Sequence, residues 1–216
     1  MEKLRIVFMG TPDFAVGILD TIYNSNYEIA GVITAPDKPA GRGQKLSISA
    51  VKEYALANKL HLLQPTNLKA PEFLSELKAL NANLHVVVAF RMLPEAVWKM
   101  PKLGTFNLHA SLLPAYRGAA PINWAIINGE TQTGVTTFYI DDKIDTGAMI
   151  LRKEIGIGAQ ESAGELHDRL MHLGSEAVIE TLALIENQKV VTTIQDENPK
   201  VKTAYKLNKD NCKIDW

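Results

Sequence analysis

The sequence predicts an α/β protein built on a doubly wound, mostly parallel sheet with an antiparallel extension. Three observations predict it. Short apolar runs alternate with amphipathic stretches through the first half of the chain, as strand–helix–strand crossovers require. The runs Leu4–Met9 and Leu84–Phe90 are apolar almost throughout, as strands covered on both faces are. Later, Thr136–Ile140 and Met149–Ile155 bracket the polar segment DDKIDTG and read as an antiparallel pair.

The elements follow in order. Leu4–Met9 is interrupted only by Arg5, and Gly10 and Thr11 end it. Pro12 suits the first turn of the next helix, where its missing N–H is not needed, with Thr11 as cap. Phe14, Ile18, Leu19 and Ile22 then share one helical face. Ile29–Thr34 is the next strand. Residues 35–49 read as a loop, and a helix runs from about Ala50 to Asn58. His61–Leu63 reads as a short strand, Pro71–Leu80 as helix, Leu84–Phe90 and Gly104–His109 as strands. Pro121–Ile127 reads as helix, stopped by Asn128-Gly129. Ser162-Ala-Gly-Glu165 is a capping box. Behind it, Leu166, Leu170, Leu173, Val178, Leu182 and Ile185 recur at helical spacing. From about Gln188 the pattern weakens into a polar, lysine-rich tail. The expected division is a catalytic domain over residues 1–187, then a linker or the start of a further domain over 188–216. Ligands on such sheets bind beyond the carboxyl ends of the strands. The loops after Met9, Thr34, Phe90 and His109 are therefore expected to converge on one crevice.

Composition narrows the class. A hydrophobic fraction of 46% and a charged fraction of 22% over 216 residues are those of an ordinary soluble domain. The net charge is −1, so any surface for nucleic acid must be local. A single cysteine, Cys212, excludes a disulfide framework and a cysteine-rich metal site. His61, His85, His167 and His172 lack the spacing of a zinc site, so they read as structural or exposed and no metal is expected. The opening MEKLRIVFMG reads as too short and too strand-like for a signal peptide, and no run reaches the roughly 18 apolar residues of a membrane helix. The expectation is a cytoplasmic protein without a membrane partner.

The most informative segment is NLHASLLPAYRG, residues 107–118. Asn107 and His109 end an apolar strand two residues apart, so their side chains share a face. An amide and an imidazole can donate to a developing oxyanion, and a downstream carboxylate, Asp145, can orient the imidazole or a water. That set suits acyl transfer between two nitrogens without a covalent nucleophile. Ser111 has no G-x-S-x-G elbow around it. Spacing alone fits a capped polar strand end equally well, and the three acids of DDKIDTG leave the choice among them open.

The run NLHASLLPAYRGAAPINWAIINGETQTGVTT, with DDKIDTG, FMGTPDFA and PDKPAGRG, closely resembles the folate-dependent formyltransferases. Within them it is similar to the branch acting on methionyl-tRNA, from about Lys3 to the end of the chain. The resemblance implies a Rossmann-like formyltransferase fold. It implies 10-formyltetrahydrofolate as donor, and the α-amino group of methionyl initiator tRNA as acceptor, engaged at the acceptor stem, in translation initiation. It implies that Asn107 and His109 polarise the formyl oxygen while Asp145 holds His109 and an ordered water. Ser111, Leu112, Leu113 and Pro114 match a folate-contacting segment, and Phe90, Arg91, Met92 and Leu93 match the lining of the pterin pocket. Phe90-Arg91 departs from the tyrosine-glycine pair frequent in the family. A small amine, such as glycinamide ribonucleotide or an amino sugar, is the alternative acceptor; a non-catalytic folate-binding module is the other alternative.

Residues 36–52, PDKPAGRGQKLSISAVK, hold four basic residues against one acid. Alone they read as a solvated loop. The resemblance makes them an arm entering the tRNA acceptor stem, with Lys38, Arg42 and Lys45 as contacts. It also implies a carboxyl-terminal β-barrel domain beyond the linker, most or all of which this chain is expected to lack. A monomer is expected.

Overall fold

The computed structural model describes residues 3–40, 45–196 and 201–214. In chain order the elements are β1 (Arg5–Gly10), α1 (Asp13–Tyr23), β2 (Glu28–Ile33), β3 (Lys38–Ala40), β4 (Lys45–Ser47), α2 (Ala50–Ala57), β5 (Leu62–Leu63), α3 (Pro71–Ala79) and β6 (Leu84–Val88). Then come α4 (Glu95–Trp98), β7 (Thr105–His109), β8 (Arg117–Gly118), α5 (Pro121–Ile127), β9 (Gln132–Tyr139), β10 (Met149–Gly156), α6 (Ala163–Glu186) and β11 (Thr203–Ala204). Seven strands form the main sheet in the order β10-β9-β7-β6-β1-β2-β5. β1, β2, β5, β6 and β7 are parallel, and β9 and β10 add the antiparallel extension.

The pleat decides where the core lies. Ile6 and Phe8 of β1 join one apolar cluster, while Val7 and Met9 join the other. Successive strand side chains point to opposite faces, so one apolar run feeds both. On the first face pack α1, through Phe14, Ile18, Leu19 and Ile22, and α6, through Leu166, Leu170, Ala177, Val178 and Leu182. On the second pack Phe73 and Leu77 of α3 and Val97 of α4. Burying each such large side chain contributes about 1.5–3 kcal/mol. The capping box of α6 is present: Ser162 Oγ accepts from Glu165 N, and Ser162 N donates to Glu165 Oε2 at 2.8 Å.

Two expectations are corrected and two features are added. Pro12, not Thr11, is the cap residue of α1, and no side chain caps that helix. The loop at 35–49 carries the antiparallel pair β3–β4, with Lys38 opposite Ser47 and Ala40 opposite Lys45. α4 is a further short helix after Pro94. The tail packs against the domain: β11 pairs parallel with β8, and Thr193 exchanges both main-chain hydrogen bonds with Met149.

β8 and β11 make a close approach that only glycine permits. Gly118 has φ +123, and a Cβ there would lie 2.3 Å from the Ala204 carbonyl oxygen. Ala119 N donates to that same oxygen at 2.7 Å, Tyr116 N to Lys202 O at 2.6 Å, and Trp124 Nε1 to Tyr205 O at 2.7 Å. No helix among the described residues is long and apolar enough to cross a membrane.

Candidate active site

Strand order reverses between β1 and β6, where ligands collect on such sheets. A cleft of about 910 Å³ opens there. The segments after β1, β6, β7 and β9 line it through Pro12, Ala89–Leu93, His109, Gly118–Asn123 and Ile140–Asp145. Among the described residues, none of the loop after Thr34 lines it, contrary to expectation.

β7 presents the two polar side chains. Asn107 pairs with Val87 and Phe138 on its neighbours, and His109 pairs with Thr136. Both line the cleft. Asn107 is half-buried, and among the described residues its amide has no hydrogen-bond partner. An unspent amide in a cleft is available to a ligand. His109 is 7% exposed and held from two sides. Its Nε2 lies 2.8 Å from the Tyr116 carbonyl oxygen, and its Nδ1 lies 3.8 Å from Asp145 Oδ2.

The three acids of DDKIDTG are placed differently. Asp141 Oδ1 accepts from Lys143 N and Thr146 Oγ1, which makes it a turn-forming residue. Asp142 is exposed. Asp145, at φ +54, turns its carboxylate back toward β7, where Oδ2 also accepts from Gly118 N at 2.9 Å. Gly147 lets the loop fold this tightly, since a Cβ there would lie 1.6 Å from Tyr139 O.

Phe90, Arg91, Met92 and Leu93 all line the cleft. Arg91 anchors them, donating to the carbonyls of Pro65 and Thr66, with its guanidinium 5.6 Å from the Phe90 ring centroid. Ser111, Leu112, Leu113 and Pro114 are placed differently. None lines the cleft. Ser111 Oγ donates to Ala115 O at 2.6 Å, Leu113 is fully buried beside Phe138 and Met149, and Leu113 N donates to Thr136 Oγ1. These contacts shape the turn that carries Tyr116. Ser111 Oγ and Leu113 N are thus engaged within the chain, away from the cleft lining.

Lys38 is exposed at the start of β3. Lys45 opens β4. Arg42 lies outside the described residues. Among the described residues no group of three His, Cys, Asp or Glu side chains could hold a metal ion.

Sequence reasoning missed three participants. Tyr116 acts through its carbonyl at φ +60, which no side-chain pattern announces. His167, read as structural or exposed, lines the cleft one turn into α6, its ring edge-on to Phe14 at 5.3 Å. Gln195, within the polar tail, is buried against the Asp145 loop.

A doubly wound sheet whose switch-point cleft holds an amide, an imidazole and a carboxylate carries the groups that suit an acyl transferase working without a covalent nucleophile. Residues 4–182 match the Formyl transferase family. The chain is 77% identical over its full length to a methionyl-tRNA formyltransferase of Flavobacterium johnsoniae, spanning 69% of that protein. It is 72% identical to that of Flavobacterium psychrophilum, again over all of this chain and 69% of the relative. A solved sugar 3N-formyl transferase, crystallised with dTDP and 5-N-formyl-THF, shares the fold: TM-score 0.69, 24% identity, 95% of this chain and 70% of the other. The chain belongs to the formyl transferase family, alongside the methionyl-tRNA formyltransferases.

Proposed function

We propose that this chain transfers the formyl group of 10-formyltetrahydrofolate to the α-amino group of methionyl initiator tRNA. The observation that carries the chemistry is the unspent Asn107 amide beside a His109 ring held between Tyr116 O and Asp145. The relatives that match over the full chain supply the acceptor.

The cleft suits a folate. Val87, Phe90, Leu93 and Ile140 give it apolar walls for a flat ring system, and its volume lies in the range of sites for ligands of that size. The amine nitrogen attacks the formyl carbon, the bond from that carbon to N10 breaks, and one proton passes from the amine to N10. Asn107 donates to the formyl oxygen as it gains charge. His109, protonated at Nδ1, adds positive charge nearby and donates a proton late in the step. Asp145 stabilises that cation and, with a water, accepts the proton of the attacking amine. An α-amino group with a reference pKa of about 7.7–8.0 is partly neutral at physiological pH, so little base strength is required.

Lys38, Arg42 and Lys45 are read as contacts to the acceptor stem, where basic side chains pair with phosphates. The chain is read as a cytoplasmic monomer, in the compartment where translation starts. Small amine acceptors are not favoured, because the full-length relatives act on an aminoacylated tRNA.

Single-turnover transfer from 10-formyltetrahydrofolate to methionyl initiator tRNA tests the reading, with glycinamide ribonucleotide as comparison acceptor. Transfer to the tRNA, lost on His109→Ala and weakened on Arg42→Ala with folate binding intact, is expected. Transfer to the small amine alone would overturn the acceptor assignment.

A further inference from the structure

Gln195 lies beyond the family match at 4–182 and is 5% exposed. Both ends of its amide are engaged, and both engage reaction loops. Nε2 donates to the carbonyls of Asp145 at 2.9 Å and Gly147 at 2.8 Å. Oε1 accepts from Arg117 Nε at 3.0 Å and Nη2 at 2.7 Å. The main-chain pair between Thr193 and Met149 ties down the segment that carries it.

The two loops joined by this amide are those that hold His109. Tyr116, next to Arg117, supplies the carbonyl at Nε2, and Asp145 supplies the carboxylate at Nδ1. Asp145 sits at φ +54, in a region that few non-glycine residues occupy and that aspartate tolerates better than most. Its peptide plane needs a fixed partner for the carboxylate to stay on Gly118 N. A buried amide with two donors toward one loop and its acceptor toward the other meets that need.

We propose that Gln195 is a positioning residue for formyl transfer, holding the Asp145 backbone so that its carboxylate stays beside His109. The proposal rests on the reading of Asp145 as part of the reaction site. It makes the tail a working part of the catalytic domain rather than a passive linker.

The test uses the whole chain with Gln195→Met, which keeps length and removes every hydrogen bond, alone and combined with Asp145→Asn. In single-turnover and steady-state transfer to methionyl-tRNA, kcat should fall at least tenfold, with KM for 10-formyltetrahydrofolate within twofold. In the Asp145→Asn background the further loss should be under twofold, because residues acting as a unit are not additive. By NMR, the Gly118 amide should exchange with solvent at least tenfold faster. Gln195→Glu keeps an acceptor for Arg117 and loses the donors to Asp145; it should show the same Gly118 signature, and it serves if Gln195→Met fails to fold. A Gly118 amide as protected as in the unmodified chain, or kcat losses that multiply with Asp145→Asn, would overturn the proposal. Absence of transfer by the unmodified chain would count against the formyl-transfer reading, while Gly118 exchange would still decide the role of Gln195.

Discussion

The main-chain oxygen of Tyr116, 2.8 Å from Nε2 of His109, decides which imidazole nitrogen is left for chemistry. A carbonyl only accepts, so Nε2 keeps its proton in both charge states of the ring. Nδ1, facing Asp145 Oδ2 at 3.8 Å, is the nitrogen that gains and loses a proton. Neutral His109 therefore presents a lone pair beside the cleft, and charged His109 presents an N–H⁺ next to a carboxylate.

That assignment has a direct spectroscopic consequence. Nitrogen NMR of neutral His109 should show the Nε2–H tautomer, with Nδ1 unprotonated. A neutral ring protonated at Nδ1 would contradict the geometry. Removing the ring by His109→Ala should lower kcat by about 10²–10⁴-fold, the usual worth of a positioned acid–base group. Folate binding, measured by fluorescence titration, should stay within about threefold, because a group acting in the transition state contributes little to ground-state affinity.

Asn107 gives a cleaner separation still. Its amide has no partner among the described residues, so removing it costs the fold little. Losing an oxyanion donor costs about 10²–10³-fold in kcat at comparable sites. Asn107→Ala should therefore show that loss with a thermal midpoint close to that of the unmodified chain. Asn107→Asp should be slower again, since a carboxylate puts negative charge where the oxyanion forms. Unchanged kcat in Asn107→Ala would remove Asn107 from the reaction.

Much of this was legible in the sequence, for reasons that are local. The apolar runs of β1 and β6, the capping box at Ser162 and the two-residue spacing of Asn107 and His109 depend only on neighbours in the chain. What stayed hidden depends on distant partners. β8 and β11 are two residues each and exist because the tail returns across Tyr116–Gly118. Asp145 differs from Asp141 and Asp142 through Gly118 and His109, which come beside it only in the fold. Gln195 looked like one more polar residue in a solvated tail, yet it is buried between two loops. Ser111 and Leu113 sit in a segment whose likeness pointed to a ligand, whereas their contacts run to Ala115 and Thr136.

Gly118 links that hidden tail to the site. Its φ of +123 suits glycine alone, and an added Cβ would meet the Ala204 carbonyl at 2.3 Å. Its N–H is also the donor to Asp145. Gly118→Ala should cost about 1–3 kcal/mol from backbone strain alone, read by urea denaturation. It should also reduce kcat, because β11 and the Asp145 carboxylate lose their common anchor. Stability within about 0.5 kcal/mol of the unmodified chain would show that the tail does not bear on this turn.

His85 should make the domain sensitive to acid. It is 1% exposed near the start of β6, between Val7 on β1 and Thr105 on β7, and among the described residues its Nδ1 has no partner. Burial pushes its imidazole down to about 4, against the opposing pull of a hydrogen bond to the Val97 backbone. The unfolded chain, with an imidazole near the reference of about 6.5, binds more protons than the folded one between those values. Stability from keeping this ring neutral is therefore complete above about pH 6.5 and is lost as pH falls toward 4. The linkage amounts to about 2 kcal/mol by pH 4.5. His85→Leu removes the titration but puts a differently shaped side chain into a close-packed site, so it should be less stable at pH 7 by about 1–3 kcal/mol. Urea denaturation at pH 7, 5.5 and 4.5 should show the gap between the two proteins closing by about 2 kcal/mol as pH falls. The carboxylates titrate alike in both, so the difference isolates His85. A gap that stays constant across that range would mean that the folded protein accepts the proton at this position as readily as the unfolded chain does.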